Sequence, residues 1–526
     1  MNVDAAVVVA YCTAAVGAGV FGRRRLASAT AEEFLTGAHA LNWKQAALST
    51  IAMTVDPGIM GTAGLAFLWG LVIHWNAVNM WLCAPFAAFF LLPIYWRSGI
   101  VTTPEFLERR FSAASRVLVA ILMLAFNVVV LAALLHLGGL ILSELFRWPV
   151  FASTLVALLI SGLYVVSGGM KAVLALNRYQ SALVLATIFA VAGASLYHVG
   201  GVAGFAAIRV VGETGRVLPS TIPPLDWSLF SRQWFPLPAI LCWAPLLSTA
   251  WLACNFSFVQ CFLATRTLAD AQKSMLALGT WSLLMSTLAY IAGVSMRRLA
   301  PGIPPDTAFL RVIVTMFPTG LRGLLVTGLV ASLLSAVNGM LMASSTLATK
   351  DIYLKVAPGA DGRSLKTIAR TFQILVIAAV VALLPVAGRS RSITAFIQHF
   401  MGDVFGVIMA WFLVGAFSRR AAPRAAFLGA TCGTTVAVTL DVFTEINFAY
   451  VGFLSFAVTV ATTLILSRWE KPVPPEKLRD LTIYPGDQTA GTVTSSASWP
   501  GVWKWSCGSL AVYLAMTLIW EWYLRR

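Results

Sequence analysis

The chain of 526 residues is 59% hydrophobic and only 11% charged, with a mean hydropathy of +0.82. Soluble globular chains carry about 25% charge and about 45–50% apolar residues, so this one has too few charges to coat a water-facing surface of its length. Soluble enzyme, disordered chain, fibre and secreted disulfide scaffold are excluded, leaving an all-α polytopic membrane protein whose first partner is the lipid bilayer. The formal charge of +16 does not point to nucleic acid, because Lys and Arg are scattered between apolar runs in the manner of a positive-inside bias.

Fourteen apolar spans are predicted, at 3–21, 44–69, 71–96, 116–146, 149–168, 172–198, 236–264, 274–298, 321–350, 367–388, 392–417, 422–443, 447–467 and 501–523. The N-terminal sequence lacks the basic segment of a signal peptide. Arg23, Arg24 and Arg25 follow the first span, so both termini are expected outside, in a plasma or bacterial inner membrane. The expected organisation is an extra helix and cytoplasmic loop (1–43), a first five-helix repeat (44–198) and an exterior loop (199–235). A second repeat (236–417), two accessory helices (418–467), a cytoplasmic linker (468–500) and a C-terminal helix (501–526) follow. Cys12, Cys83, Cys242, Cys254, Cys261, Cys432 and Cys507 fall in or beside apolar segments, where a thiol behaves as a small hydrophobe, and no disulfide is expected.

Two spans are expected to break. Asp56-Pro57-Gly58 places an acid, a proline and a glycine at mid-membrane depth, and Pro238 and Pro245 fall in 236–264. Proline removes an amide donor and disfavours helix at the preceding residue. A proline kink in an ordinary bundle explains the first break taken alone. Breaks opening two successive five-helix sets point to a 5+5 inverted-repeat secondary transporter with its site at the midplane. No HExxH, phosphate-binding loop, dinucleotide fingerprint or zinc spacing occurs, so an enzyme is not expected.

Several stretches resemble the sodium:solute symporter family. They are Ala331-Ser332-Leu333-Leu334-Ser335-Ala336 running on to Lys350-Asp351-Ile352-Tyr353, Thr103-Pro104-Glu105-Phe106-Leu107-Glu108-Arg109-Arg110-Phe111, Ser167-Gly168-Gly169-Met170-Lys171-Ala172-Val173, Asn255-Phe256-Ser257-Phe258-Val259-Gln260, and Phe396-Ile397-Gln398. They occur in order over about residues 30–420. The resemblance implies a leucine-transporter-type fold, alternating access and, in most members, coupling to Na+. It implies a sodium site from the carbonyls of Ile51, Thr54 and Ser332 and the Ser335 hydroxyl, with Ala336 where the family usually has a second hydroxyl. Asn177 stands where an acid is common, which argues against a second sodium. Ser344, Ser345, Thr346 and Thr349 read as hydroxyls bonded back to their own helix.

Sugar-transporting members surround the sugar with a set whose places here hold Met53, Gly58, His74 and Ser282; only Gln398 and the Trp75-Asn76 neighbourhood survive, which disfavours sugars. Trp251 matches the inner-gate aromatic, and it serves equally as packing. Met53, Asp56, His74, Trp251, Asn255, Ser282 and Gln398 are the candidate substrate residues. Asp403 is a further intramembrane acid, facing the cavity or pairing with His399. The expected function is sodium-coupled symport of a small organic solute. The alternatives are a proton-coupled or uncoupled transporter of a cationic amine, with Asp56 or His74 taking the proton, and a degenerate member acting as a sensor or structural subunit.

Asp56 has three readings: a cap on the broken half-helix, the partner of a substrate amine, or an ion or proton ligand. Asp56→Asn separates them. As an amine partner, its loss costs about 3–5 kcal/mol of binding and transport of the cationic substrate collapses while folding survives. As a proton acceptor, pH-driven uptake is lost and exchange remains. Near-normal uptake leaves only the cap.

Overall fold

A computed structural model describes residues 3–26, 41–54, 58–213, 215–230, 236–357, 359, 362–387, 393–478, 480–483 and 499–525. Asp56 therefore lies outside the described residues, as do the side chains of Thr54, Asn177, Cys242 and Cys507. Among the described residues every regular element is a helix. Helix α1 is Val3–Leu26, α2 Trp43–Thr54 and α3 Gly58–Trp69; a tight turn at Gly70–Ile73 leads to α4, His74–Phe86. After a wider turn, α5 spans Leu92–Ser98, then α6 Thr103–Arg110, α7 Ala113–Phe146 and α8 Val150–Val199. The second half contains α9 Leu237–Cys242, α10 Ala244–Ala253, α11 Phe256–Leu263, α12 Leu268–Leu299, α13 Leu321–Thr346 and α14 Gly362–Ala387. Last come α15 Ile393–Phe417, α16 Pro423–Phe443, α17 Phe448–Leu466 and α18 Trp499–Arg525.

Nine helical stretches among the described residues are long and apolar enough to cross a bilayer, ten if the bent run α9–α11 is one span. The expected spans 44–69 and 71–96 share the stretch Gly58–Ser98, and those at 149–168 and 172–198 both lie in α8, whose backbone stays helical because no proline falls within it. The break expected at Pro238 and Pro245 is differently placed. Pro245 opens α10, where a missing N–H costs nothing, while the 49° bend comes at Cys254-Asn255. Cys12, Cys83, Cys254, Cys261 and Cys432 are free thiols.

Helix α13 is the axis. Its most apolar stretch is 94% buried, against 28% for α14 and α16. It packs on α1, α2, α7, α8 and α14. Its N-terminus is capped from α1, where Asp4 accepts from Gly320 N (2.7 Å) and Gly323 N (2.9 Å). In the middle α2 comes so close that a Cβ at Gly339 would lie 2.2 Å from Met53 Cε. The turn after α3 depends on Gly70, whose φ of +77° suits glycine alone. A Cβ there would also stand 2.3 Å from Leu218 O, whose carbonyl accepts from Leu71 N at 2.7 Å.

The helical run from Gly70 ends at Ser98 on the opposite side of the bundle, and the charges gather there. Arg116 on α7 reaches Asp351 Oδ1 through Nε (2.5 Å) and Glu108 Oε2 through Nη1 (2.5 Å). Thr102 Oγ1 donates to Asp351 Oδ1 at 2.6 Å, and Lys355 pairs with Glu108. The two motifs around Thr103–Arg110 and Lys350–Tyr353 thus meet in one ion network joining α6, α7 and the end of α13. Burial works against the charged form of Glu108, but Lys355 and Arg116 outweigh it and hold the carboxyl below its ordinary value near 4.5. A depressed carboxyl stabilises the fold above its unfolded value, and that contribution is lost as pH falls through the lower folded value. The thermal midpoint of the wild type is therefore expected to fall on acidification below about pH 4.5, and Glu108→Gln to flatten that fall at the expense of a lower midpoint at neutral pH. Parallel midpoint curves for the two proteins would show that Glu108 carries none of it.

Candidate functional site

A cavity of about 190 Å³ lies between α2–α4, α7, α10, α12 and α15. Its polar groups are Thr62, Asn76, Ser248, Ser282, Ser286 and Gln398, and its aromatic wall is Trp251, Trp281 and Tyr290. The described lining residues include no charged side chain. Ser282 and Gln398 are 6% and 8% exposed, and Ser282 Oγ and Gln398 Oε1 are buried without a hydrogen-bond partner. A buried polar atom left unpaired costs about 1–3 kcal/mol, so a pair of them facing one cavity marks a place where a ligand completes the structure.

Of the residues expected here, Ile51, Trp251, Ser282 and Gln398 line the cavity. Gly58 and Ile51, on either side of Asp56 in the chain, line it as well. Trp251 is packed edge-on to Phe126 at 6.0 Å and against Phe258 at 5.3 Å, which fixes its ring in the wall.

Three expected residues are elsewhere. Met53 points away to Cys261 Sγ (3.8 Å) and Gly339, because its long apolar side chain fills the notch that glycine leaves. Asn255 is the cap of α11: its side-chain oxygen accepts from Ser257 N at 3.0 Å, since the bend frees amides that need a partner. His74 stands behind the wall, 3.3 Å from Thr287 Oγ1 and edge-on to Tyr290 at 5.9 Å. The expected alternatives for Asp403 both fail. It does not line the cavity, and His399 Nδ1 lies 3.7 Å from Asp441 on α16 because its ring turns toward that helix. Sequence reasoning missed Thr62, Ser248, Trp281, Ser286 and Tyr290. Ser282, Ser286 and Tyr290 recur every four residues along α12, a polar stripe on an apolar helix that could have revealed that face.

The expected cation ligands are on α2 and α13, which pack together. Ile51, Ser332, Ser335 and Ala336 are all buried, and Ser332 Oγ is used within the helix, donating to Leu329 O at 2.7 Å. Gln260 Nε2 on α11 donates to Gly339 O at 3.1 Å and braces this region. Three residues beyond Ser335, Asn338 Oδ1 is buried without a partner, an oxygen of the kind a hard cation uses. Ser345 Oγ and Thr346 Oγ1 donate to Met342 O at 3.2 and 2.9 Å, as expected of back-bonded hydroxyls, whereas Ser344 Oγ accepts from Asn127 Nδ2 at 3.0 Å.

The sodium:solute symporter family model matches residues 34–433. A sodium/glucose cotransporter 2 of Rattus norvegicus is 24% identical over 540 residues, covering 91% of this chain and 80% of its own. A sodium/mannose cotransporter of Bos taurus is 26% identical over 472 residues, covering 83% and 78%. Among solved structures, a Na+-coupled sialic acid symporter in a substrate-bound outward-open state superposes with a TM-score of 0.78 at 17% identity, covering 90% of this chain and 99% of that one. A nucleobase-cation-symport-1 family transporter, closed with bromovinylhydantoin bound, gives 0.57 at 14% identity, covering 85% and 97%. At these identities the likeness to the solved structures is one of fold.

Replacing a buried carboxamide whose oxygen has no partner by an apolar side chain of similar size removes the desolvation cost of that oxygen. Gln398→Leu is expected to leave the melting temperature of the solute-free protein unchanged or raised, while a solute that stabilises the wild type ceases to do so. A clear loss of stability without solute would mean that Gln398 is held by the protein itself.

Proposed function

Since the chain belongs to the sodium:solute symporter family, a family of membrane transporters and not of enzymes, we propose that it couples Na+ entry to symport of a small organic solute by alternating access. The observation that carries the reading is the cavity in which Ser282 Oγ and Gln398 Oε1 lack partners. A purely structural subunit has no need of such a site. On this reading ten of the fourteen expected spans form two inverted five-helix repeats, 44–198 and 236–417, with both termini outside.

The carbonyls of Ile51, Thr54 and Ser332 and the hydroxyl of Ser335 hold the cation, with Ala336 leaving the set one hydroxyl short. The cation ties α2 to α13. Because Ile51 also lines the cavity, ordering α2 by sodium sets one wall of the solute site, which is the link a symporter requires: each ligand binds better to the form the other has ordered. The solute is small and held by neutral hydroxyl and carboxamide groups. An amine would find its countercharge only in Asp56, so the cationic-substrate alternative rests on that residue alone.

Purified protein in liposomes should accumulate at least one member of a panel of amines, amino acids, carboxylates and sugars when an inward sodium gradient is imposed, and not when potassium replaces it. Uptake that ignores sodium would overturn the coupling. Ser335→Ala should raise the half-saturating sodium concentration. Ala336→Ser should lower it by up to about tenfold, the scale of a hydrogen bond worth about 1.5 kcal/mol.

A further inference from the structure

Helix α18 lies beyond the residues 34–433 that the family model covers, yet it packs on α4 and on the rings behind the Tyr290 wall of the cavity. Near its end Glu521 is 8% exposed and accepts three hydrogen bonds from the 199–235 segment. These come from Thr221 N at 2.5 Å, Thr221 Oγ1 at 3.0 Å and Ser220 Oγ at 3.1 Å. Beside it Trp520 Nε1 donates to Pro219 O at 2.8 Å. The same short segment is stitched to the turn between α3 and α4: Leu218 O accepts from Leu71 N, and Thr221 O accepts from Trp75 Nε1 at 2.9 Å. Two turns back along α18, Tyr513 is 8% exposed and lies 5.4 Å from the His74 ring and edge-on to Trp75 at 5.3 Å. His74 in turn packs on Tyr290, and Tyr290 is a wall of the cavity.

We propose that α18 is the outer gate of the solute path, with Tyr513 and His74 as the stacked plug and Glu521 as the positioning residue that latches the 219–221 segment over it. The proposal rests on the cavity being the solute site. The geometry supplies a reason for a carboxylate in this place. Thr221 N is the amide of an irregular segment, Ser220 and Thr221 add two hydroxyls, and one Glu521 carboxylate gathers all three, so a single side chain sets the segment and the helix together. Charge-assisted hydrogen bonds of this kind are about twice as strong as neutral ones, which suits a contact that must hold one state and release as a unit. Opening the path means parting Tyr513 from His74. Because Trp75 touches both Tyr513 and Thr221, the plug and the latch must part together.

The test reads access to the cavity directly and needs neither sodium nor an identified solute, so it fails separately from the symport reading. A thiol is placed in the cavity by Ser282→Cys, and its reaction with a charged, membrane-impermeant methanethiosulfonate is followed by mass spectrometry on the purified protein. The native Cys261, fully buried on α11 and away from α18, is the internal reference. Glu521→Ala in this background is expected to raise the rate at position 282 by tenfold or more relative to Cys261. Thr221→Val, which keeps the shape and removes one of the three bonds, should raise it less and in the same direction. General loosening would raise both rates together and leave the ratio unchanged. A ratio within twofold of the parent for both variants overturns the proposal, and if Glu521→Ala does not fold, the ratio for Thr221→Val decides alone.

Discussion

Within a bilayer a backbone amide or carbonyl that leaves its helix has no water to turn to, and each one left unpaired costs several kcal/mol. Two departures from helix in the described chain are answered by specific partners. Where the chain turns at Gly70, Leu71 N finds Leu218 O and Leu68 O accepts from Glu213 N. Where it bends at Cys254-Asn255, the Asn255 side chain takes the Ser257 amide of α11 and Gln260 fastens the new helix to Gly339 O. The cavity follows from the same constraint: bent helices cannot close on their neighbours along their whole length.

The distribution of charge follows a related logic. Arg116, Asp351, Glu108 and Lys355 sit together at one end of the bundle, and Glu521 and Asp4 each meet several donors elsewhere. The cavity wall between them has hydroxyls, carboxamides and rings. A site of that composition gives up little free energy when emptied or filled, whereas a charged one would need its countercharge in every state of the cycle. The clamp around Arg116 and the latch around Glu521 then lie at different ends of the same α4–α5 run, where each can restrain one side of the bundle without the other.

Much of this was legible in the sequence because periodicity, proline and glycine act over short distances. The apolar runs marked the helices, and Trp251, Ser282 and Gln398 do share a cavity, whereas Asp56-Pro57 lies outside the described residues. What escaped depends on residues far apart in the chain. Asn255 read as a ligand because an Asn before an aromatic run looks the same whether its amide faces a solute or caps a bend. His74 was placed in the site by its neighbours Trp75 and Asn76, but a helix turns about 100° per residue, so Asn76 faces the cavity while His74 faces Tyr513. Asp441 and Tyr513 could not be paired with His399 and His74 by any local pattern. Nor could Pro245 be distinguished from a break: its position as the second residue of α10 makes it harmless, and only the structure shows where that helix starts.

The cap that Asp4 places on α13 has a consequence for the order of assembly. Its two amide donors, Gly320 N and Gly323 N, lie 316 and 319 residues further along the chain. At about 5–20 residues per second of synthesis, α1 waits roughly 15 to 60 seconds before the helix it caps has been made. Through that interval the carboxylate has lipid headgroups and water for company, and only when α13 slides in beside α1 does it become fully buried. Helix α1 is thus locked late, and the contact that closes over it also sets one end of the axis on which α2, α7, α8 and α14 are packed.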